Sequence, residues 1–180
     1  MTNAKPGDIG FCHSTGIIGR VIRFGERLRF RHGAFWNHAF IVSDEVDAHG
    51  EPLVIQAIGK GVDGSKTLST VAPGGRYEIV ALPDGVDRAK VVAFAKQEIG
   101  SKYGYVSIVG TALRILLPRW LPLPYVRTGA TWYCSALAAE SARAGGWLRR
   151  WADVYNVVPA ELYAALKGVS VRSLSAESPS

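Results

Sequence analysis

The sequence of 180 residues contains few reactive side chains, with only two cysteines, one methionine and four histidines. Two cysteines cannot build the dense disulfide framework of a small secreted domain. A disordered chain is also excluded, because 48% of the residues are hydrophobic and 20% are charged. The uncharged, apolar stretch of residues 103–113 ends at Arg114, well short of the roughly 20 residues of a membrane span. We therefore predict a single domain over residues 1–170 and a flexible tail over 171–180.

Strong charge of either sign is absent as well. Lys and Arg number 21 against 15 Asp and Glu, which gives a net charge of +6. Such a balance permits an anionic partner without requiring one. An Arg-rich segment, residues 20–31, either forms a solvated face or contacts anionic lipid or a cell-wall polymer. No groove-reading motif accompanies it, so we expect no nucleic acid partner.

The N-terminal residues and the apolar segment 115–125 bear on where in the cell the protein is expected. Residues 1–8 lack the apolar core of a secretory signal peptide, so a cytoplasmic protein is the expectation, with a phage-encoded or non-classically exported protein as the alternative. The apolar segment 115–125, which contains Trp120, is either a hydrophobic lid or a contact with a membrane interface or acyl chain.

Hydrophobic periodicity predicts the elements of an α+β fold. Period-two patterns predict strands at residues 9–12, 36–42, 53–58 and 77–82. Helical patterns occur at residues 16–30, 87–99, 103–117, 133–144 and 159–166. Three successive strands with short connections favour an antiparallel meander. We expect an antiparallel sheet of about four to six strands with helices packed on it.

Cys134 lies at the first turn of the predicted helix 133–144. A helix N-terminus carries partial positive charge and free N–H groups, which favour a thiolate and can hold an oxyanion. This is a suitable position for a nucleophilic cysteine. The alternative is a small buried hydrophobic residue.

His38 and Gln56 lie on neighbouring predicted strands. Direct pairing of the two residues centres the hairpin at residue 47, inside the polar loop 43–52, and brings both side chains to one face. An imidazole there would serve Cys134 as a general base, and the Gln56 carbonyl would orient the ring. The alternatives are a core histidine and an ordinary strand glutamine.

Other combinations of cysteine and histidine are weaker candidates. Cys12 and His13 are neighbours on a strand, so their side chains point to opposite faces. A zinc site from Cys12, His13, His32 and Cys134 lacks close paired-ligand spacing. We therefore expect no metal and no cofactor.

Six short segments, taken in order, resemble the permuted papain-like amidases and cysteine peptidases, the YiiX/YaeF-like proteins among them. That family is related to the NlpC-type cell-wall endopeptidases and to the lecithin retinol acyltransferase group. The matching segments are residues 7–11, 37–42, 54–62, 100–103, 133–137 and 159–162. The resemblance implies a circularly permuted papain-like fold. It agrees with the residue order, because no histidine follows Cys134 and a site built on Cys134 cannot have the usual order of cysteine before histidine.

The resemblance implies a cysteine hydrolase that cleaves amide bonds through a thioester. Cys134 would be the nucleophile, His38 the base and Gln56 the orienting residue, with the Cys134 N–H contributing to an oxyanion hole. The substrate would be a peptide, a peptidoglycan-type peptide or an N-acyl amide. An acyltransferase or lipid-handling enzyme with the same site, and a non-catalytic binding module, remain alternatives.

The resemblance also places further side chains near the cleft and shows departures. Pocket candidates are Cys12, His13, Ser14, Tyr103 and Tyr133. The family usually has an acidic residue in place of Gln56, a glutamate in place of Ala136 and an aspartate in place of Gly104.

Overall fold

The computed structural model describes residues 4–13, 36–104, 131–147, 154 and 157–168. The strands are β1 (Ile9–Cys12), β2 (His38–Val46), β3 (Pro52–Ile58), β4 (Gly61–Thr67), β5 (Tyr77–Val80), β6 (Lys102–Tyr103) and β7 (Thr131–Trp132). The helices are α1 (Leu68–Val71), a 3-10 turn (Pro73–Gly75), α2 (Arg88–Gln97), α3 (Cys134–Ala144) and α4 (Pro159–Lys167). The predicted helix at residues 16–30, the Arg-rich and Trp120 segments, Ser14, His32 and the tail lie outside these described residues.

An antiparallel five-stranded sheet in the order β4-β3-β2-β1-β5 forms the centre of the fold. The α+β class and the antiparallel sheet are therefore as predicted. The predicted meander is wrong in one respect, because β5 pairs with β1 rather than with the strand that precedes it. On the side of β3 away from β2, the neighbouring strand is β4, which follows a two-residue turn after Ile58. The sequence of β4 is polar apart from Val62, so it shows no hydrophobic alternation.

The helices predicted at residues 87–99, 133–144 and 159–166 agree closely with α2, α3 and α4, whereas α1 and the 3-10 turn were not predicted. Asp87 caps α2 by accepting a hydrogen bond from the Lys90 N–H at 3.1 Å, as predicted from its position. Helix α3 begins at Cys134, one residue later than predicted. The helix predicted from residue 103 is wrong at Tyr103, which lies in β6 and pairs in parallel with Trp132 of β7; the rest of that segment lies outside the described residues.

Side chains on the two faces of the sheet form two hydrophobic clusters. The main cluster joins one face, including Phe11 and Ile41, to the alanine-rich surface of α3. Small side chains let the helix approach the sheet closely. The second cluster covers the other face; its buried members are Cys12, Phe40, Val42, Val54, Leu68 and Ala72. Among the described helices, none is long and apolar enough to cross a membrane.

Candidate active site

A hydrogen bond joins His38 of β2 to Gln56 of β3 inside the protein. His38 Nε2 and Gln56 Oε1 are 2.7 Å apart, and both residues are buried. Because a carbonyl oxygen only accepts, Nε2 carries the hydrogen and donates it. The other ring nitrogen, Nδ1, then remains for the Cys134 thiol, which is also hydrogen-bonded to this histidine.

The strand register that brings these residues together differs from the predicted one. Ile41 pairs with Ile55 and Val42 with Val54, so continuing the register sets Gln56 opposite Phe40 rather than opposite His38. The pairing is shifted by two residues because the turn lies further along the chain than predicted, with Val46 paired to Pro52, and the register slip between Val42 and Val46 offsets only part of this difference. A two-residue shift keeps each side chain on its face, and a long glutamine side chain spans the diagonal to its neighbour.

Cys134 is the first residue of α3, and only 2% of its surface is exposed. Burial by itself raises the pKa of the Cys134 thiol. The hydrogen bond from His38 and the positive charge on its ring outweigh this effect, so the pKa of Cys134 lies below its ordinary value. Burial also disfavours the charged form of His38, which lowers its pKa. The hydrogen bond to Cys134, the thiolate charge and the hydrogen bond to Gln56 outweigh this effect and raise the pKa of His38 overall. The two shifts favour a thiolate–imidazolium pair.

Two backbone N–H groups also bond to the Cys134 sulfur and lower its pKa, those of Ala39 and Ser135. The Ala39 donor is available for a geometric reason. Val42 exchanges backbone hydrogen bonds with Gly7 and Asp8 on the β1 side, so the odd-numbered residues of β2 direct their N–H groups toward β3. The described pairing of β2 with β3 begins only at Ile41. The Ala39 N–H therefore lies beyond the ladder and reaches the sulfur.

The start of α3 is attached to the chain just before α4 by both neighbours of Cys134. The Tyr133 hydroxyl donates to the Val154 carbonyl at 3.4 Å, and Ser135 Oγ donates to the Val157 carbonyl at 2.6 Å. Tyr133 is the N-cap residue and makes no capping side-chain bond. The first N–H groups of the helix are therefore not occupied by a capping side chain, and the helix start keeps its partial positive charge.

Trp132 of β7, two residues before α3 begins, is also held by hydrogen bonds. The Trp132 indole N–H donates to a Glu98 carboxylate oxygen at 2.6 Å, and Ser101 Oγ donates to the same oxygen at 2.8 Å. The Trp132 carbonyl accepts from the Gly104 N–H at 3.0 Å. These bonds tie β7 to the end of α2 and to β6, and so they set the point where the chain enters α3.

Cys12 is the Cα partner of His38 across β1 and β2, but its environment differs from that of Cys134. Its side chain lies in the second cluster, with Sγ 3.9 Å from the Val71 carbonyl. Burial, and then the charge of Cys134, raise the pKa of Cys12 to about 12. Its thiol therefore stays protonated at neutral pH, and it flanks the site as an inert group.

The other predicted pocket residues have structural contacts. The His13 ring lies against Trp36 with centroids 5.4 Å apart. Tyr103 and Tyr133 are buried in the main cluster, and Ser14 lies outside the described residues. The Ser135 donor is one of the free N–H groups expected at the helix start, whereas the Ala39 donor was not predicted and has no signal in the sequence.

A buried cluster of cysteine, histidine and glutamine, at the point where a helix begins against an antiparallel sheet, defines the site of this α+β protein. Its fold is similar to that of the crystal structure described as metalloprotein yiiX from Escherichia coli O157:H7, DUF1105. The TM-score is 0.54 at 17% sequence identity, over 82% of this chain and 69% of that chain. At this identity the likeness shows a shared fold alone. A scan against protein-family models gives no match, and a search of curated proteins gives none either.

Proposed function

We propose that this protein is a cysteine hydrolase of the permuted papain-like type that cleaves amide bonds. Its substrate would be a peptide, a peptidoglycan-type peptide or an N-acyl amide. The observation that supports this most strongly is the buried series of contacts from Gln56 through His38 to Cys134. A nucleophile, a base and a residue that orients the base are the three parts that thiol catalysis requires.

In the first half of the proposed reaction, the Cys134 thiolate attacks the carbonyl carbon of the scissile amide. The carbonyl oxygen takes the electron pair and becomes an oxyanion, which the Cys134 backbone N–H helps to stabilise. The protonated His38 ring then gives its proton to the leaving nitrogen. The C–N bond breaks, an amine leaves, and the acyl group remains on Cys134 as a thioester.

In the second half, neutral His38 accepts a proton from water, and the resulting hydroxide attacks the thioester carbon. The C–S bond breaks, a carboxylic acid leaves, and the thiolate–imidazolium pair is restored. Gln56 keeps Nε2 protonated through its carbonyl oxygen, so the nitrogen that faces the sulfur is the one that gains and loses the proton. This role explains how a neutral residue can serve at position 56.

The name of the structural neighbour raises the question of a metal. In the part of this chain that the structure describes, no group of three His, Cys, Asp or Glu side chains is placed to hold an ion. The donor set around His38 consists of one thiol and one carboxamide. Together with the imidazole they are not the set of three or four histidine, thiolate and carboxylate ligands that zinc sites use.

Thiol labelling tests the proposal without knowledge of the substrate. Iodoacetamide at neutral pH, followed by peptide mapping, should modify Cys134 far faster than Cys12, since only Cys134 has a lowered thiol pKa. A Cys12→Ala variant should keep this labelling, whereas Cys134→Ala should lose it. The mechanism loses its basis if Cys134 is inert or reacts no faster than Cys12.

A second experiment addresses the reaction itself. Incubation with a library of peptides and N-acyl amides, followed by intact-mass measurement, should reveal an acyl group carried on Cys134, and His38→Ala should abolish it. A product carrying the acyl group on an added amine rather than on water would instead indicate an acyltransferase. Binding without any acyl adduct, unchanged in His38→Ala, would indicate a binding module.

A further inference from the structure

Asp63 of β4 lies directly opposite Gln56 of β3, on the side of β3 away from His38. The two residues are Cα partners in the antiparallel register; they form the first pair after a register shift between Val54 and Gln56, and the regular pairing continues to Ile58 and Gly61. Directly opposed residues project to the same face with Cβ atoms about 4.5–5.5 Å apart. His38, Gln56 and Asp63 therefore follow one another across three adjacent strands.

The Asp63 carboxylate is hydrogen-bonded at one oxygen, whereas its other oxygen has no partner among the described residues. Oδ1 accepts hydrogen bonds from Ser65 Oγ at 2.8 Å and from the Ser65 N–H at 3.4 Å. Oδ2 is buried and has no hydrogen-bond partner in the part of the chain that the structure describes. A buried carboxylate oxygen left in this way costs free energy, so its position calls for an explanation.

The neighbouring carboxamide supplies one. Gln56 directs its carbonyl end at His38, which leaves its NH2 end as the donor for other groups. A carboxylate beside the amide attracts the NH2 end and repels the carbonyl end. It therefore selects the amide orientation in which Oε1 faces His38, and the reverse orientation would set two N–H donors against each other.

We propose that Asp63 is a positioning residue that fixes the Gln56 carboxamide and, through it, the protonated His38 ring. The inference rests on the proposed function. The negative charge that is absent at position 56 is supplied from the next strand. Asp63 touches neither the thiol nor the substrate; it acts through Gln56.

The test is the labelling rate of Cys134, measured with iodoacetamide as a function of pH. Asp63→Asn keeps an oxygen for Ser65 but removes the charge, so the rate at neutral pH should fall about threefold to tenfold and the profile should move to higher pH. The control Asp84→Asn removes an exposed carboxylate after β5 and should leave the profile unchanged. Melting temperatures of both variants report on folding.

A second background separates positioning from a purely structural role. In Gln56→Glu the side chain at position 56 carries its own charge and has no amide orientation to select, so adding Asp63→Asn should change the labelling rate much less than it does in the unmodified protein. A structural defect would lower the rate to a similar extent in both backgrounds and would overturn the proposal. An unchanged rate in Asp63→Asn, with Cys134 reactive in the unmodified protein, overturns this inference alone, whereas an inert Cys134 in the unmodified protein overturns the proposed function as well.

Discussion

Replacing Gly10 with alanine should destabilise the sheet next to the candidate site. Gly10 of β1 is the Cα partner of Phe40 in β2, and the aromatic ring lies over the glycine. A Cβ at position 10 would be 2.1 Å from two ring atoms, Cε2 and Cζ, where ordinary contacts are 3.4–4 Å. The ring would have to move by more than 1 Å, although Phe40 is fully buried.

The magnitude follows from two opposing terms. Alanine restricts the unfolded chain more than glycine does and so contributes roughly 0.5–1 kcal/mol of stability. Overpacking a well-filled core costs typically about 1–3 kcal/mol, and the short distance here favours the upper end. Phe40 shares the second buried cluster with Val42, Val54 and Leu68, so the ring has little room to move. The clash wins, and the net loss is about 2 kcal/mol.

Thermal unfolding followed by circular dichroism measures this loss as a fall in melting temperature of roughly 4–8 °C. Phe40→Leu replaces the ring with a smaller side chain. Combined with Gly10→Ala it should restore part of the stability, so the effects of the two changes on stability should be strongly non-additive. Additive effects, or an unchanged melting temperature in Gly10→Ala, would refute the reasoning that the glycine exists to accommodate the ring.

Two further predictions concern the thiol and a buried ion pair. A thiol becomes a thiolate above its pKa, and the pKa of Cys134 is lowered, so its labelling rate should rise at a lower pH than that of an ordinary cysteine. His38→Ala should move this rise to higher pH. If the pH profiles of the two proteins coincide, they contradict a thiolate–imidazolium pair. Asp8→Asn should lower the free energy of unfolding, measured in urea, by about 2 kcal/mol, because Asp8 is buried and pairs with Arg88, whose side chain is 32% exposed. If Asp8→Asn and Arg88→Ala are fully additive, the pair contributes nothing.

The parts of the fold that were predictable are those with a strong side-chain pattern. The apolar run of β1 predicted the strand with its observed bounds, Ile9–Cys12. The Ala- and Leu-rich run that ends at Gly145 predicted α3 to within one residue, because helix propensity, periodicity and a glycine stop all agree there. These two elements carry Cys134 and one of the neighbours of His38.

Strand β4, which was not predicted, shows what side-chain patterns cannot reveal. Its residues Asp63, Gly64, Ser65 and Lys66 are typical of a loop, and only pairing with β3 makes them a strand. The fold tolerates such a sequence because β4 lies at the edge of the sheet, where one side of the strand faces away from the core. Asp63 could therefore not be placed beside Gln56 from the sequence, although Gln56 itself could be placed beside His38.

The contact between His38 and Gln56 withstands an error of two residues in register, but the Ala39 donor does not. In the predicted register Ala39 would pair with Ile55, and its N–H would be used by β3. In the observed register Ile41 takes that partner, and the Ala39 N–H reaches the Cys134 sulfur instead. The position of the turn makes this difference, because Val46 pairs with Pro52 and the irregularity between Val42 and Val46 removes only part of the offset from the predicted register. A backbone donor that stabilises the thiolate thus depends on where the turn falls at the far end of the hairpin, which side-chain periodicity does not encode.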